Sequence, residues 1–184
     1  MKHDKAAAAA AITQFLRALG VNTKDAAFLE TGERVAALFI EEYCAGYHVD
    51  IDDLVKTSLI KQESGPVIAR GLAISTTCPH HLTAATGHAT IAFAPKKATM
   101  GLGAIGRLAN ACAQKLTLQE EIGESIVSAI DRHAKPQWVA CRIVMRHGCM
   151  RARGGGTEGE IETWAIRGAS TGVERASIEA LVRG

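Results

Sequence analysis

Aromatic residues are scarce in this chain, at 4% of 184 residues. That leaves no stacking platform on which a single-stranded nucleic acid is held. Charge of one sign is also missing. Twenty-one lysines and arginines against 19 acids give a formal net charge of +2, too little to argue for nucleic acid or a membrane surface as partner. No apolar run is long enough to span a bilayer. The Met1–Ala11 segment has six alanines but no strongly hydrophobic core or cleavage site, so it is expected to be helix, not a secretion signal. The five cysteines (Cys44, Cys78, Cys112, Cys141 and Cys149) are odd in number and irregularly spaced. Free thiols or metal ligands are therefore expected rather than a disulfide framework, and the expected compartment is the cytoplasm.

What the chain does contain is ordinary for a folded domain: 47% hydrophobic and 22% charged residues. Its length suits one domain with a helical appendage. Ile12, Phe15, Leu16 and Leu19 predict a helix from Lys5 to Leu19, stopped by Gly20. A second helix is predicted from Thr31 to about Gly46, with Val35, Leu38, Phe39 and Tyr43 on one stripe, and a short one over Asp52–Lys56. Strands are predicted at Val67–Thr76 and Ala89–Phe93. Helices follow at Gly101–Lys115, with a stripe of Leu102, Ile105, Leu108 and Cys112, and at Leu118–His133, with Ile122, Ile126 and Ile130 inward. Thr117 and Glu120 have the spacing of a capping box at the start of the latter. Strands at Trp138–Met145 and Glu160–Ile166, a flexible turn at Arg153–Gly159 and a helix at Val173–Val182 complete the reading. This order predicts an α+β fold, an antiparallel sheet with helices packed on one side. The division expected is a helical region at 1–60 and a catalytic domain at 61–184.

The chemistry-bearing residues gather at two places. Cys78 and His81 are spaced Cys-x-x-His, so one turn is able to present a sulfur and an imidazole to the same ion. Cys149 is a third donor, and three such ligands with an open position make a catalytic zinc site. The same residues also read as two buried thiols and a satisfied polar histidine. A closed structural site is a further alternative, with a fourth ligand from His80, His88 or His147. His80 adjoins His81, and His147 stands two before Cys149. If the strand continues, residues 147 and 149 point to the same face, and an imidazole there is suited to acid–base work near neutral pH.

These segments resemble a known family. Cys78-Pro79-His80-His81-Leu82 resembles the Cys-Glu-His-His-Leu motif of GTP cyclohydrolase I. His147-Gly148-Cys149-Met150 resembles its His-x-Cys-Met segment, and Arg151-Ala152-Arg153-Gly154 continues it. Gly87–Pro95 resembles Gly-Lys-Ala-x-Ile-Ala-Tyr-x-Pro, Leu118-Gln119-Glu120 resembles Val-Gln-Glu, and Thr31-Gly32-Glu33-Arg34-Val35 resembles Thr-Pro-Glu-Arg-Val. The ordered set covers roughly residues 25 to 170.

The resemblance implies the tunnelling fold (T-fold), in which sheets join edge to edge into rings, here a homodecamer of two stacked pentamers with active sites at the interfaces. It implies Zn2+ held by Cys78, His81 and Cys149, activating water for attack on C8 of a guanine ring. It implies that His147 protonates the ring and His80 assists proton transfer as formate leaves, the product being dihydroneopterin triphosphate. Gln119 and Glu120 are then expected to bind the purine, with the Glu120 carboxylate accepting from N1–H and the 2-amino group. Arg107 and Arg153 are expected to bind the triphosphate.

One stretch departs. Where the family reads Gly-Leu-Ser-Lys, this chain has Gly101-Leu102-Gly103-Ala104, without the hydroxyl and the ammonium. Losing a charge-assisted hydrogen bond costs on the order of 1.5–3 kcal/mol, a roughly ten- to hundredfold loss of phosphate affinity. Pro79 also replaces the motif's glutamate. The same zinc chemistry on another purine therefore stands as an alternative expectation, as does a non-catalytic purine- or pterin-binding protein.

Overall fold

The structure, a computed structural model, describes residues 3–62, 64–152 and 158–184. Helix α1 (Lys5–Ala18) is capped by Asp4, whose carboxylate accepts from the Ala7 amide at 2.9 Å. It packs against α2 (Thr31–Ala37), which continues through a wide π turn at Leu38–Tyr43 and a 3₁₀ turn at Ala45–His48. None of the α1 residues is fully buried. In the second helical segment the buried side is Gly32 and Ala36, and Leu38 of the expected stripe is exposed. Phe39 and Tyr43, also of that stripe, meet edge to face across the π turn.

Helix α3 (Ile51–Thr57) follows, with Asp50 as its cap. Its Val55 is fully buried and joins the main core. Asp52 ties this helix to the following helical layer, accepting from Arg132 Nη1 at 2.8 Å and lying 2.7 Å from His133 Nε2. That hydrogen bond, ahead of the Arg132 charge, holds the Asp52 carboxyl below its ordinary value.

The central sheet has four antiparallel strands in the order β2-β3-β5-β6: β2 (Val67–Thr77), β3 (Ala84–Phe93), β5 (Val139–His147) and β6 (Ile161–Arg167). A two-residue pair, β1 (Leu59–Ile60) with β4 (Thr99–Met100), lies apart from it. β3 is longer than expected at its start. Gly87 and His88 break the hydrophobic alternation there, but β5 pairs with them all the same, as Gly87↔Met145 and His88↔Val144. β2 carries a bulge between Ala69 and Leu72, where Gly71 takes φ +67°.

One face of the sheet is covered by α4 (Leu102–Ala113) and α5 (Gln119–Ala134). Ile105, Leu108 and Cys112 from α4 and Ile122, Ile126 and Ile130 from α5 meet Ile91, Phe93, Cys141, Ile143 and Met145 in a single core. Each such side chain contributes about 1.5–3 kcal/mol on burial. Leu102, expected to lead the α4 stripe, is the helix's first residue and is 77% exposed. The α+β arrangement of helices on an antiparallel sheet is as expected. Helix α7 (Gly172–Arg183) adds a cover to the opposite face, where Ile178 and Val182 pack on Ala92, Ala140 and the two tryptophans. The rest of that face is a shallow concavity of about 900 Å³ lined by residues such as His88, Arg142 and Arg146. Among the described residues no helix is long and apolar enough to cross a membrane.

Candidate active site

The β2–β3 connection carries the first ligand pair. Its ends are closed by Cys78 N–H donating to Thr83 O at 2.9 Å and Leu82 N–H donating to Cys78 O at 2.9 Å. Leu82 takes the left-handed conformation, φ 51°, which costs a non-glycine residue roughly 1–2 kcal/mol. The loop is thus held in one shape at an expense typical of functional sites. It brings Cys78 Sγ within 3.6 Å of His81 Nδ1.

Cys149 arrives from the other side of the same hairpin. β5 ends at His147, paired with Ala85 of β3, and the single turn α6 (Gly148–Arg151) follows at once. Cys149 therefore sits on a helical turn, which corrects the expectation that residues 147 and 149 share one face of a strand. Gly148 makes the junction possible. A β-carbon there would lie 2.7 Å from Ala84 O, so only a bare α-carbon lets α6 come down on the start of β3.

The donor atoms of Cys78, His81 and Cys149 lie within 4.8 Å of one another. For zinc–sulfur and zinc–nitrogen bonds of about 2.3 and 2.05 Å, a tetrahedral edge from sulfur to nitrogen is about 3.6 Å. The Cys78–His81 separation already has that length, and two thiolates with one imidazole are a donor set zinc favours. The residues present fit a zinc ion. The other three cysteines are buried, and burial raises each of their thiol pKa values, that of Cys112 to about 12. Such buried thiols pack as small apolar side chains.

A pocket of about 240 Å³ opens beside these donors. Among its lining residues are His80, His147, Gln119, Glu120, Cys78 and Cys149. Six of the nine residues expected at the site thus meet around one cavity, and His81 belongs to the ligand cluster. Arg107 does not line it. That side chain is exposed on α4, with its guanidinium next to Gly103. Arg153 lies outside the described residues, as does most of the turn expected at Arg153–Gly159. Among the described residues no lysine or arginine lines the pocket. Ala104, where the family has its lysine, is 3% exposed and packed in the core.

The start of α5 differs in detail from the expected capping box. The helix begins at Gln119 with Leu118 as its cap residue, and the carboxylate that turns back is that of Glu121. It accepts from Thr117 Oγ1 at 2.6 Å and Leu118 N at 3.2 Å. The Thr117 hydroxyl, then the Leu118 amide, lowers the Glu121 pKa. Moving the cap by one residue leaves Glu120 exposed at the pocket wall, so its two oxygens no longer have to serve both cap and ligand.

Gln119 is 3% exposed. Its Nε2 donates to Ile143 O (3.1 Å), Ile161 O (2.9 Å) and Thr163 Oγ1 (3.1 Å), and its Oε1 lies 2.7 Å from His147 Nε2. Sequence reasoning missed this buried bridge, the part played in it by Thr163, and the packing role of Gly148. Glutamine and threonine carry no pattern that separates a ligand contact from a buried hydrogen bond.

Comparison with known proteins places the chain in a family. A model of the family described as GTP cyclohydrolase I matches residues 8–182. A protein named GTP cyclohydrolase 1 from Bartonella henselae is 34% identical over 148 residues, covering 79% of this chain and 71% of that one. Proteins of the same name from Salmonella arizonae and Salmonella paratyphi B are each 30% identical over 146 residues, covering 78% of this chain; the chain spans 65% of their length. Among solved structures, the archaeosine synthase QueF-Like in its apo form covers 62% of this chain at 17% identity, with 97% of its own length aligned. Its TM-score of 0.46 is too low to bear on function. The family match spans nearly the whole chain and includes every residue of the ligand cluster and pocket: the chain belongs to the GTP cyclohydrolase I family.

Proposed function

We propose that this protein is a zinc-dependent GTP cyclohydrolase, which hydrolyses the guanine imidazole ring at C8, releases that carbon as formate, and then rearranges the ribose and closes a pterin ring with loss of water to give dihydroneopterin triphosphate. The observation that carries the reading is the convergence of Cys78, His81 and Cys149 within 4.8 Å, beside a pocket that presents His80, His147 and Glu120. Zinc bound by those three residues would supply the Lewis acidity that activates water at neutral pH.

The remaining work falls to the chain itself. The Glu120 carboxylate accepts from guanine N1–H and the 2-amino group, which fixes the ring against the pocket wall. The His147 imidazole delivers a proton to the imidazole ring of the guanine and makes C8 electrophilic. His80 exchanges a proton as the ring opens and formate departs. Arg107 and Arg153 are assigned to the triphosphate by resemblance alone. β2 and β6 each pair on one side only within the sheet, leaving edges suited to joining copies into a ring. A decamer of two stacked pentamers is the assembly proposed.

A second reading keeps the hydrolytic chemistry and changes the substrate to a purine with fewer phosphates. One observation favours it: Ala104, which stands where the family resemblance implies a lysine, is packed in the core. Zinc-loaded protein incubated separately with GTP, GMP and guanosine, with products read by mass spectrometry, decides between them. Formate and a pterin from GTP support the first reading. Turnover of GMP or guanosine in preference to GTP supports the second, and no product from any of the three overturns both.

A further inference from the structure

Gln119 stands beside the pocket, where a substrate contact would be expected of it, yet every polar atom of its side chain is already engaged. Its amide nitrogen faces two main-chain carbonyls, Ile143 O at 3.1 Å and Ile161 O at 2.9 Å. Carbonyl oxygens only accept, so the nitrogen of the amide must lie on that side and the oxygen on the other. The flipped amide would set Oε1 against two acceptors in a site that is 3% exposed, and would leave buried groups unpaired. Thr163 Oγ1 at 3.1 Å is a third partner on the same side.

The consequence passes to His147. With Gln119 Oε1 as the atom 2.7 Å from its Nε2, the ring nitrogen there has to donate. In a neutral imidazole the hydrogen then sits on Nε2, and Nδ1 carries the lone pair. We propose that Gln119 is a positioning residue that does not bind the purine. By fixing the ring and tautomer of His147, it makes Nδ1 the atom that exchanges the proton with substrate. The hydrogen-bonded chain runs from the main chain of β5 and β6 through Gln119 to His147. It is anchored in the sheet, so the orientation does not depend on substrate being present. This inference rests on the reading of His147 as the proton-transferring group.

The test uses the full-length, zinc-loaded protein. With ¹⁵N-histidine labelling and His147 assigned by its absence in His147→Ala, the neutral ring is expected to show a protonated Nε2 and a bare Nδ1. Gln119→Met keeps the length of the side chain and removes both polar ends. It is expected to lose the single tautomer and to lower kcat on the order of 10–100-fold, by analogy with removing a partner that orients a metal-bound imidazole. KM should stay within about threefold. Thr163→Val, which removes one anchor without touching the ring, is expected to lower kcat less with KM unchanged, and it serves should Gln119→Met fail to fold. A wild-type ring protonated at Nδ1, or a Gln119→Met enzyme whose KM rises at constant kcat, overturns the proposal. If His147→Ala turns over at the wild-type rate, the reading of His147 fails. The ¹⁵N spectrum still reports on the Gln119 contact by itself.

Discussion

The α-carbon of Gly148 rests against the main chain of Ala84 so closely that a β-carbon would sit 2.7 Å from the Ala84 carbonyl oxygen. That contact seats α6, and with it Cys149, on the hairpin that bears Cys78 and His81. Backbone blocks the space, and backbone is unable to swing away as a side-chain tip does. Gly148→Ala is therefore expected to displace Cys149, with zinc content falling well below one ion per chain. Overpacking here should cost roughly 1–3 kcal/mol of stability. Elemental analysis of purified protein with a thermal melt checks both. A fully zinc-loaded variant with wild-type stability would remove Gly148 from the account.

Cys149→Ala and His81→Ala attack the same centre without crowding it. Both residues lie outside the main core and are at least partly exposed. The fold is expected to survive in each, with an unchanged far-ultraviolet dichroism spectrum, while zinc is lost on gel filtration and turnover of GTP disappears. Chelation of wild-type protein should do the same, and added zinc should restore activity to wild type but not to the variants. Full activity in chelated protein would show that the three side chains have another role.

Glu120 and Glu121 are adjacent in sequence and divided in work. Glu121 turns back to Thr117 and Leu118, whereas Glu120 is exposed at the pocket. Glu121→Gln is expected to lower the melting temperature and leave KM near wild type. Glu120→Gln should leave the melting temperature unchanged and weaken substrate binding about 10–100-fold, the range for losing a charge-assisted hydrogen-bond pair. The two measurements together are decisive, since a reversed pattern would return the cap to Glu120 and take the purine away from it.

Much of this architecture was legible because period and burial agree. The Ile122, Ile126 and Ile130 stripe of α5 lies fully buried where its spacing put it. The gathering of Cys78, His81 and Cys149 was legible through the ordered family motifs, because the Cys-x-x-His spacing alone also fits buried thiols beside a polar histidine. The β1–β4 pair was not, since two-residue strands exist only through their partners. The true cap of α5 differs by one residue because Thr117-Leu118-Gln119-Glu120-Glu121 offers two carboxylates, and tertiary geometry selects between them. Gln119 was the hardest to read. Its role depends on carbonyls of Ile143 and Ile161 that a linear pattern does not bring beside it.

Lys135 ends α5 in the left-handed conformation, φ 46°, at an exposed position. Glycine adopts this backbone without the clash that costs other residues roughly 1–2 kcal/mol, although its freer unfolded chain offsets part of the gain. Lys135→Gly is expected to stabilise the protein by about 0.5–1 kcal/mol, a rise in Tm of roughly 1–4 °C for a chain of this size. Activity should be unchanged because the residue is not among those lining the pocket. A destabilised variant would mean that the lysine side chain contributes more than its backbone costs.

Glu162 gives the protein an acid-sensitive joint. Its carboxylate accepts from Arg142 Nη2 at 2.7 Å and from Trp164 Nε1 at 2.6 Å, and Arg183 of α7 lies 3.4 Å away. The Arg142 hydrogen bond, then that from Trp164, holds the carboxyl below its ordinary value against a smaller opposing effect of burial. A carboxyl depressed in the folded state binds protons less readily than in the unfolded chain. Its stabilisation is thus complete above the unfolded value of about 4.3, and is lost as pH falls through the lower folded value. Urea unfolding followed by tryptophan emission should show wild type exceeding Glu162→Gln by a constant margin above about pH 5.5. Below about pH 4 the two curves should converge, because the protonated glutamate then resembles the amide. Trp164 is flanked by the guanidiniums of Arg142 and Arg183, so its emission should shift as Arg183 is released. Parallel curves down to acid unfolding would place the acid sensitivity elsewhere, with the Asp52 link between α3 and α5 the next group to replace.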